Sequence, residues 1–201
     1  LESKLDDDQR DQLRTVYASG KSLVDIIEDL LDFASIEAGE LKIEEKAISP
    51  RDVVDQTTRT LRYEADRQGL GFSGHCAKDI PEILCGDDHR LRQILLNLLG
   101  NAIKFTETGS VELRVTNTQA PPEFAVSAPS SREELERVWM QFEVRDTGIG
   151  ISAEHLERIF EPFRQLDGTS RRVYGGTGLG LATVRRIVDG MGGSIAVESE
   201  L

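Results

Sequence analysis

The stretch Arg90–Thr106 reads RLRQILLNLLGNAIKFT. Leu91, Leu95, Leu98, Ala102 and Phe105 recur at helical steps, which predicts an amphipathic helix with those residues on its core side. Asp87 is placed to cap it, and the helix is predicted to run from there to Phe105. A second pattern lies along the same helix. Asn97, Asn101 and Lys104 stand at i, i+4 and i+7, within about 60° of one another on a separate face. Two carboxamides and an ammonium on one stripe suit a magnesium-bound polyphosphate. An amide oxygen is a hard ligand for the ion, and a lysine meets phosphate oxygens as a point charge. Taken alone, such a stripe is more often just a solvated helix face.

Downstream, Val111–Thr116 and Val138–Val144 alternate in the strand manner and are predicted to pair as a hairpin. Residues 117–137 between them carry Pro121, Pro122, Pro129 and a charged SREELER run, and are read as a surface insertion. Asp146-Thr147-Gly148-Ile149-Gly150 follows the strand Gln141–Arg145. A carboxylate at a strand end, beside glycines that let a ring approach the backbone, can accept a hydrogen bond from an exocyclic amine. Gly175-Gly176-Thr177-Gly178-Leu179-Gly180-Leu181 then feeds a helix predicted over Leu179–Met191. Backbone amides at a helix N-terminus favour anions, and glycines let phosphate come close. Between these motifs, residues 151–174 hold Phe160-Glu161-Pro162-Phe163 with Arg164, Arg171 and Arg172, a pattern that suits a mobile cover over a charged ligand, although a plain surface loop explains the arginines equally well on their own. Gly192-Gly193 turns into a last predicted strand, Ser194–Ser199. Gly20-Lys21-Ser22 imitates the end of a Walker A loop, but Thr15 stands where that motif needs glycine.

Upstream, Ser49-Pro50 precedes a predicted helix over 51–68 ended by Gly69, followed by short strands at Leu70–Cys76 and Ile83–Cys85. Residues 5–38 read as one long helix. Leu13, Val16, Gly20, Leu23, Ile27, Leu30 and Ala34 keep a strict three-four spacing, the seam of a coiled coil or four-helix bundle. Ile26, Leu31 and Phe33 widen that face toward a bundle, and Gly39 is placed to stop the helix.

The 201 residues carry 36 acidic and 24 basic side chains, a net charge of −12, which argues against nucleic acid as a partner. Residues 1–46 hold 13 acids and 6 bases, so much of the excess sits on the long helix. No 18-residue apolar run or charged-then-apolar leader is present, so neither a membrane span nor a signal peptide is expected. Cys76 and Cys85 make no disulfide framework, and a reducing, cytoplasmic setting is expected. The first residue is not Met, so a piece of something longer is expected.

Together and in this order, the motifs resemble the ATP-binding domain of sensor histidine kinases, in the superfamily shared with gyrase, chaperone and MutL ATPases. Arg90–Thr106 looks like the N box, Asp146–Gly150 the G1 box, Phe160–Phe163 the F box, and Gly176–Leu181 (GTGLGL) the G2 box. Residues 5–46 resemble the second helix of the dimerisation and phosphotransfer hairpin, in the form common among hybrid kinases. The implied fold is α+β, with a long bundle helix followed by a two-layer α/β sandwich of the Bergerat type. The implied domains are a partial dimerisation helix (1–46) and a catalytic domain (47–201) with a lid at about 151–175. By this resemblance Asn101 is the principal magnesium ligand, Asn97 supports magnesium or phosphate, and Lys104 contacts the phosphates. Asp146 reads the adenine amino group, with Gly148 and Gly150 beside the base. Gly176, Thr177, Gly178, Leu179 and Gly180 line the phosphates, with Arg164 and Arg171 on the lid. The implied cofactors are ATP and Mg2+. The implied partners are a second copy, through the N-terminal helix, and a response-regulator receiver domain, with no membrane contact by this portion.

Water-using ATPases of the superfamily place a glutamate four residues before the magnesium asparagine. Here that position is Asn97, which cannot act as a general base, so phosphoryl transfer is favoured over hydrolysis. His75, His89 and His155 do not match the family's acceptor setting and are read as structural or surface residues, with the first hairpin helix absent. Autophosphorylation by this chain alone is therefore not expected. A nucleotide-binding dimerisation module without phosphotransfer, or a superfamily ATPase, are the alternatives.

Overall fold

The computed structural model describes residues 6–39, 41–119, 138–156, 158–164 and 177–201. In chain order the elements are α1 (Asp7–Glu37), β1 (Lys46–Ile48), α2 (Pro50–Gln68), β2 (Gly71–Cys76), β3 (Leu84–Gly86), α3 (Asp88–Phe105), β4 (Ser110–Thr118), β5 (Trp139–Asp146), α4 (Ala153–Leu156) and α5 (Gly180–Gly190). They form two compact units, one of residues 1–41 and 157–195, the other of residues 42–156 and 196–201.

In the first unit, a reciprocal capping pair starts α1: the Gln9 N–H donates to Asp6 Oδ1 at 2.7 Å, and the Asp6 N–H to Gln9 Oε1 at 3.2 Å. Gly39, at φ 74°, follows its end in the left-handed conformation that the sequence anticipated. The seam residues Leu13, Val16, Leu23, Ile27 and Leu30 are all exposed, with Val16 at 67% and Leu23 at 58%. Phe33 is half-buried and meets the Phe163 ring edge-on at 6.2 Å.

The second unit is a two-layer sandwich. Ser49 caps α2 by accepting the Asp52 N–H, Pro50 opens its first turn, and Gly69 (φ 72°) closes it. Asp87 caps α3. One of its oxygens accepts the Arg90 N–H at 3.0 Å, and the other accepts the Glu44 N–H at 2.9 Å. Burial opposes the charge of this residue, only 3% exposed, but the two N–H groups and the Arg90 charge hold its carboxyl below the usual carboxylate range. The main sheet has the order β2-β4-β5, with β2 parallel and β5 antiparallel to β4. Val111, Leu113 and Val115 of β4 point into one core with Val53, Val54 and Ala65 of α2 and with Leu95, Leu99 and Ile103 of α3. Met140, Phe142 and Val144 of β5 pack against the same core.

Four expectations need correction. The buried face of α3 is Leu91, Ile94, Leu95, Leu99, Ala102 and Ile103, whereas Leu98 and Phe105 are half-buried at its margin. α3 lies against α2 as well as β4 and β5, so its apolar face is broader than one stripe. Strand β1 was not anticipated; it pairs antiparallel with β3, Lys46 opposite Gly86 and Ile48 opposite Leu84. Residues 194–199 alternate in exposure as a strand does, yet they form no ladder among the described residues. A strand needs a hydrogen-bonded neighbour as well as alternation. β4 extends to Thr118, so the insertion starts later than 117. Residues 120–137 of the expected insertion and 165–175 of the expected lid lie outside the described residues.

Candidate functional site

The side chains of the predicted α3 stripe are neither buried in the core nor fully in solvent: Asn97, Asn101 and Lys104 are all half-buried. The Asn101 Nδ2 donates to Asn97 Oδ1 at 3.3 Å, so one helical turn brings the two carboxamides into contact. The Lys104 Nζ lies 4.9 Å from the Phe105 ring centroid, and burial pushes its pKa down.

Strand register brings Asp146 to the same layer. Phe142 and Val144 face the helices, and a strand returns to one face every second residue, so Asp146 projects toward α3 where the sheet ends. The chain then turns sharply. Asp146 Oδ1 accepts the Gly148 N–H at 2.9 Å, and the Ile149 N–H donates to the Phe105 carbonyl at 3.3 Å. A Cβ on Gly148 would lie 2.4 Å from that carbonyl oxygen, so only glycine lets the turn settle on the end of α3. Gly150, at φ 70°, meets a second constraint: a Cβ there would lie 1.9 Å from the Glu200 carbonyl oxygen. The Ile151 N–H donates to Ser199 Oγ at 2.9 Å. Asn97, Asn101, Lys104, Asp146, Gly148 and Gly150 thus belong to one compact unit, with the Asp146 turn seated on the helix that carries the polar stripe.

The other described site residues, Arg164 and 177–180, belong to the first unit. Phe163 is the one non-glycine residue with positive φ (60°) among the described residues, and its N–H donates to the Gly178 carbonyl at 2.9 Å. Gly178, at φ 71°, approaches so closely that a Cβ would lie 2.8 Å from the Arg164 carbonyl oxygen. The Phe160–Phe163 segment and the glycine turn are thereby locked together. Arg164 Nε pairs with Glu161 Oε2 at 2.7 Å, and that hydrogen bond holds the Glu161 carboxyl below its usual range. The Leu179 N–H donates to Thr177 Oγ1 at 3.1 Å. Leu179 caps α5 without a side-chain hydrogen bond, so the first-turn N–H groups from Gly180 onward have no acceptor within the helix. Thr183 on α5, 4% exposed, keeps a hydroxyl with no hydrogen-bond partner among the described residues. Arg171 and Gly176 lie outside the described residues. His75 and His89 are exposed, and His155 Nδ1 lies 2.7 Å from Ser152 Oγ.

Among the described residues, no helix is long and apolar enough to cross a membrane. Residues 1–39 match the model of the His Kinase A (phospho-acceptor) domain. The sensory/regulatory protein RpfC of Xanthomonas campestris pv. campestris is 41% identical over 194 residues, covering 96% of this chain and 25% of that protein. The signal transduction histidine-protein kinase BarA of Escherichia coli is 38% identical over 200 residues, covering 100% of this chain and 20% of that protein. The chain thus spans a quarter or less of these relatives. The crystal structure of full-length ShkA in complex with AMPPNP superposes with a TM-score of 0.76 at 32% identity, covering 99% of this chain and 37% of that one. Residues 86–201 match the model of histidine kinase-, DNA gyrase B- and HSP90-like ATPases, and the chain belongs to that family.

Proposed function

We propose that this chain is the ATP-binding catalytic part of a two-component sensor histidine kinase. It binds Mg·ATP and passes the γ-phosphate to a histidine of the dimerisation hairpin, for relay to an aspartate on a response-regulator receiver domain. The observation that carries this reading is the seating of the Asp146 turn on the end of α3, through Ile149 N–H and the Phe105 carbonyl. A group that reads a base and a stripe that suits phosphate and metal then share one compact unit.

The residues fit a magnesium ion. Asn101 as principal ligand and Asn97 as its support offer hard carboxamide oxygens at a half-buried position. Magnesium keeps waters and shares phosphate oxygens instead of filling an all-protein cage, and among the described residues no trio of His, Cys, Asp or Glu gathers to form one. When bound, the ion neutralises phosphate charge. Lys104 adds a cation to the phosphates. Asp146, with one oxygen occupied by the Gly148 N–H, accepts the adenine amino group, and Gly148 and Gly150 flank the base. The glycine turn at Gly176, Thr177, Gly178, Leu179 and Gly180 meets the phosphates, with Arg164 and Arg171 on the covering segment.

Transfer, not hydrolysis, follows from Asn97, a residue that holds no proton-accepting carboxylate where water would need one. None of the chain's three histidines falls within residues 1–39, so the acceptor comes from the preceding hairpin helix. The exposed seam of α1 supports pairing with a second copy. This portion works in the cytoplasm.

The test uses a longer protein that includes the preceding helix, incubated with γ-labelled Mg·ATP. Acid-labile phosphate on a histidine of that helix, absent in Asn101→Ala, is expected. Tight binding without transfer would replace the kinase by a nucleotide sensor, and release of free phosphate alone would replace it by an ATPase.

A further inference from the structure

The Asp146 turn is tied to the start of β4 as well as to α3, and the tie runs through one side chain. Thr147 Oγ1 accepts the Ser110 N–H at 3.0 Å, while the Thr147 N–H donates to the Ser110 carbonyl at 3.2 Å. The same hydroxyl lies 3.4 Å from the Thr108 carbonyl oxygen and 3.5 Å from that of Ser110, within reach of its own proton. The fit is close. Gly109 sits at φ 112°, and a Cβ there would lie 2.1 Å from Thr147 Oγ1, so the loop that leaves α3 accepts the hydroxyl only because residue 109 has no side chain.

We infer that Thr147 is a positioning residue for the base: its hydroxyl fixes the angle at which Asp146 leaves the sheet relative to the α3 stripe. This rests on the nucleotide site proposed above. Lys104 and Asp146 are joined along the chain only by way of the 106–109 loop and the β4–β5 pair. Two lateral ties shorten that path, Phe105 carbonyl to Ile149 N–H and Thr147 hydroxyl to Ser110 N–H. The first sets the depth of the turn on α3. The second sets its rotation, because it holds the residue next to the base-reading carboxylate against the neighbouring strand. A ligand gripped at both ends gains from having the two grips set before it arrives. A purely structural threonine would instead satisfy the Ser110 N–H and leave base selection untouched.

The experiment measures binding of Mg·ATP and of Mg·ITP, which lacks the exocyclic amine, to the 201-residue chain by calorimetry, with circular dichroism as a check of folding. In Thr147→Val the preference for ATP over ITP is expected to fall about fivefold, the worth of one neutral hydrogen bond at a site water can reach. ITP affinity is expected to stay as it was, and Thr147→Ser to restore the preference. Thr147→Ala carries the same test if the valine variant does not fold. An unchanged preference, or parallel loss of ATP and ITP, overturns the inference. Failure of the underlying site looks different: the unaltered chain would show no ATP-over-ITP preference, or Asp146→Asn would leave that preference intact.

Discussion

Replacing Gly148 by alanine adds one methyl group at a position where there is no room for it. The new Cβ would lie 2.4 Å from the Phe105 carbonyl oxygen, 2.9 Å from Asp146 Oδ1 and 3.0 Å from the Phe105 carbonyl carbon. Two of those atoms are backbone at the end of α3 and cannot swing aside, so the turn must lift. Lifting breaks the Ile149-to-Phe105 hydrogen bond, which measures 3.3 Å, and moves Asp146 from the stripe. Overpacking of this kind costs about 1–3 kcal/mol of stability. A hydrogen bond from a base to a displaced carboxylate is worth about 1.5–3 kcal/mol, so Mg·ATP affinity should fall roughly 10- to 100-fold. Gly100 supplies the contrast within the same helix. A Cβ there meets nothing within 4 Å, so Gly100→Ala should raise stability by up to about 1 kcal/mol through helix propensity alone. Calorimetric titration with Mg·ATP and thermal melts of both variants read the two effects. A Gly148→Ala chain that binds within twofold of the unaltered one and melts with it would refute the argument.

Burial lowers the pKa of Lys104, so it sheds its proton as pH rises toward the free-lysine value of about 10.4. Mg·ATP affinity should therefore fall over that alkaline window, and Lys104→Met should flatten the fall in the same titrations. Stability without nucleotide should rise across that window, because the unfolded chain there binds more protons than the folded one. Asp87→Ala removes the acceptor of both the Arg90 and Glu44 N–H groups and should cost about 1–3 kcal/mol in urea unfolding. Because its folded pKa is lowered, the stability Asp87 contributes is present above the usual carboxylate range and lost as pH falls through the lower value. Leu23→Glu with Ile27→Glu, both on the exposed seam of α1, should convert a dimer to a monomer in sedimentation velocity.

Local signals with a single physical cause were legible. The Asp87 cap, the 3.6-residue period of α3 and the glycine stops at Gly39 and Gly69 depend on near neighbours, and each was read from the chain. The Asn97–Asn101–Lys104 stripe was legible for the same reason, since a helix fixes its own side-chain directions. Long-range pairings were not. Strand β1 is three residues with one buried side chain, too short to leave a pattern, and only β3 makes it a strand. Residues 194–199 left a pattern without a partner. Leu98 was mistaken for core in place of Leu99 because α3 touches both α2 and the sheet, and a template for one contact face cannot tell which flank is covered. The contacts of Thr147 with Ser110 and of the Phe105 carbonyl with Ile149 join residues about 40 positions apart, which no window of sequence around them reveals.

The proposed function depends on one Mg·ATP molecule engaging the polar stripe of α3 and the glycine turn before α5 together. Amide NMR of the 201-residue chain titrated with Mg·AMPPNP tests this most directly. Signals of residues 97–104, residues 146–150 and residues 178–180 should all shift and saturate at one shared dissociation constant, and removing magnesium should weaken that constant. Shifts confined to one of those segments, or separate dissociation constants for the α3 and α5 segments, would contradict it.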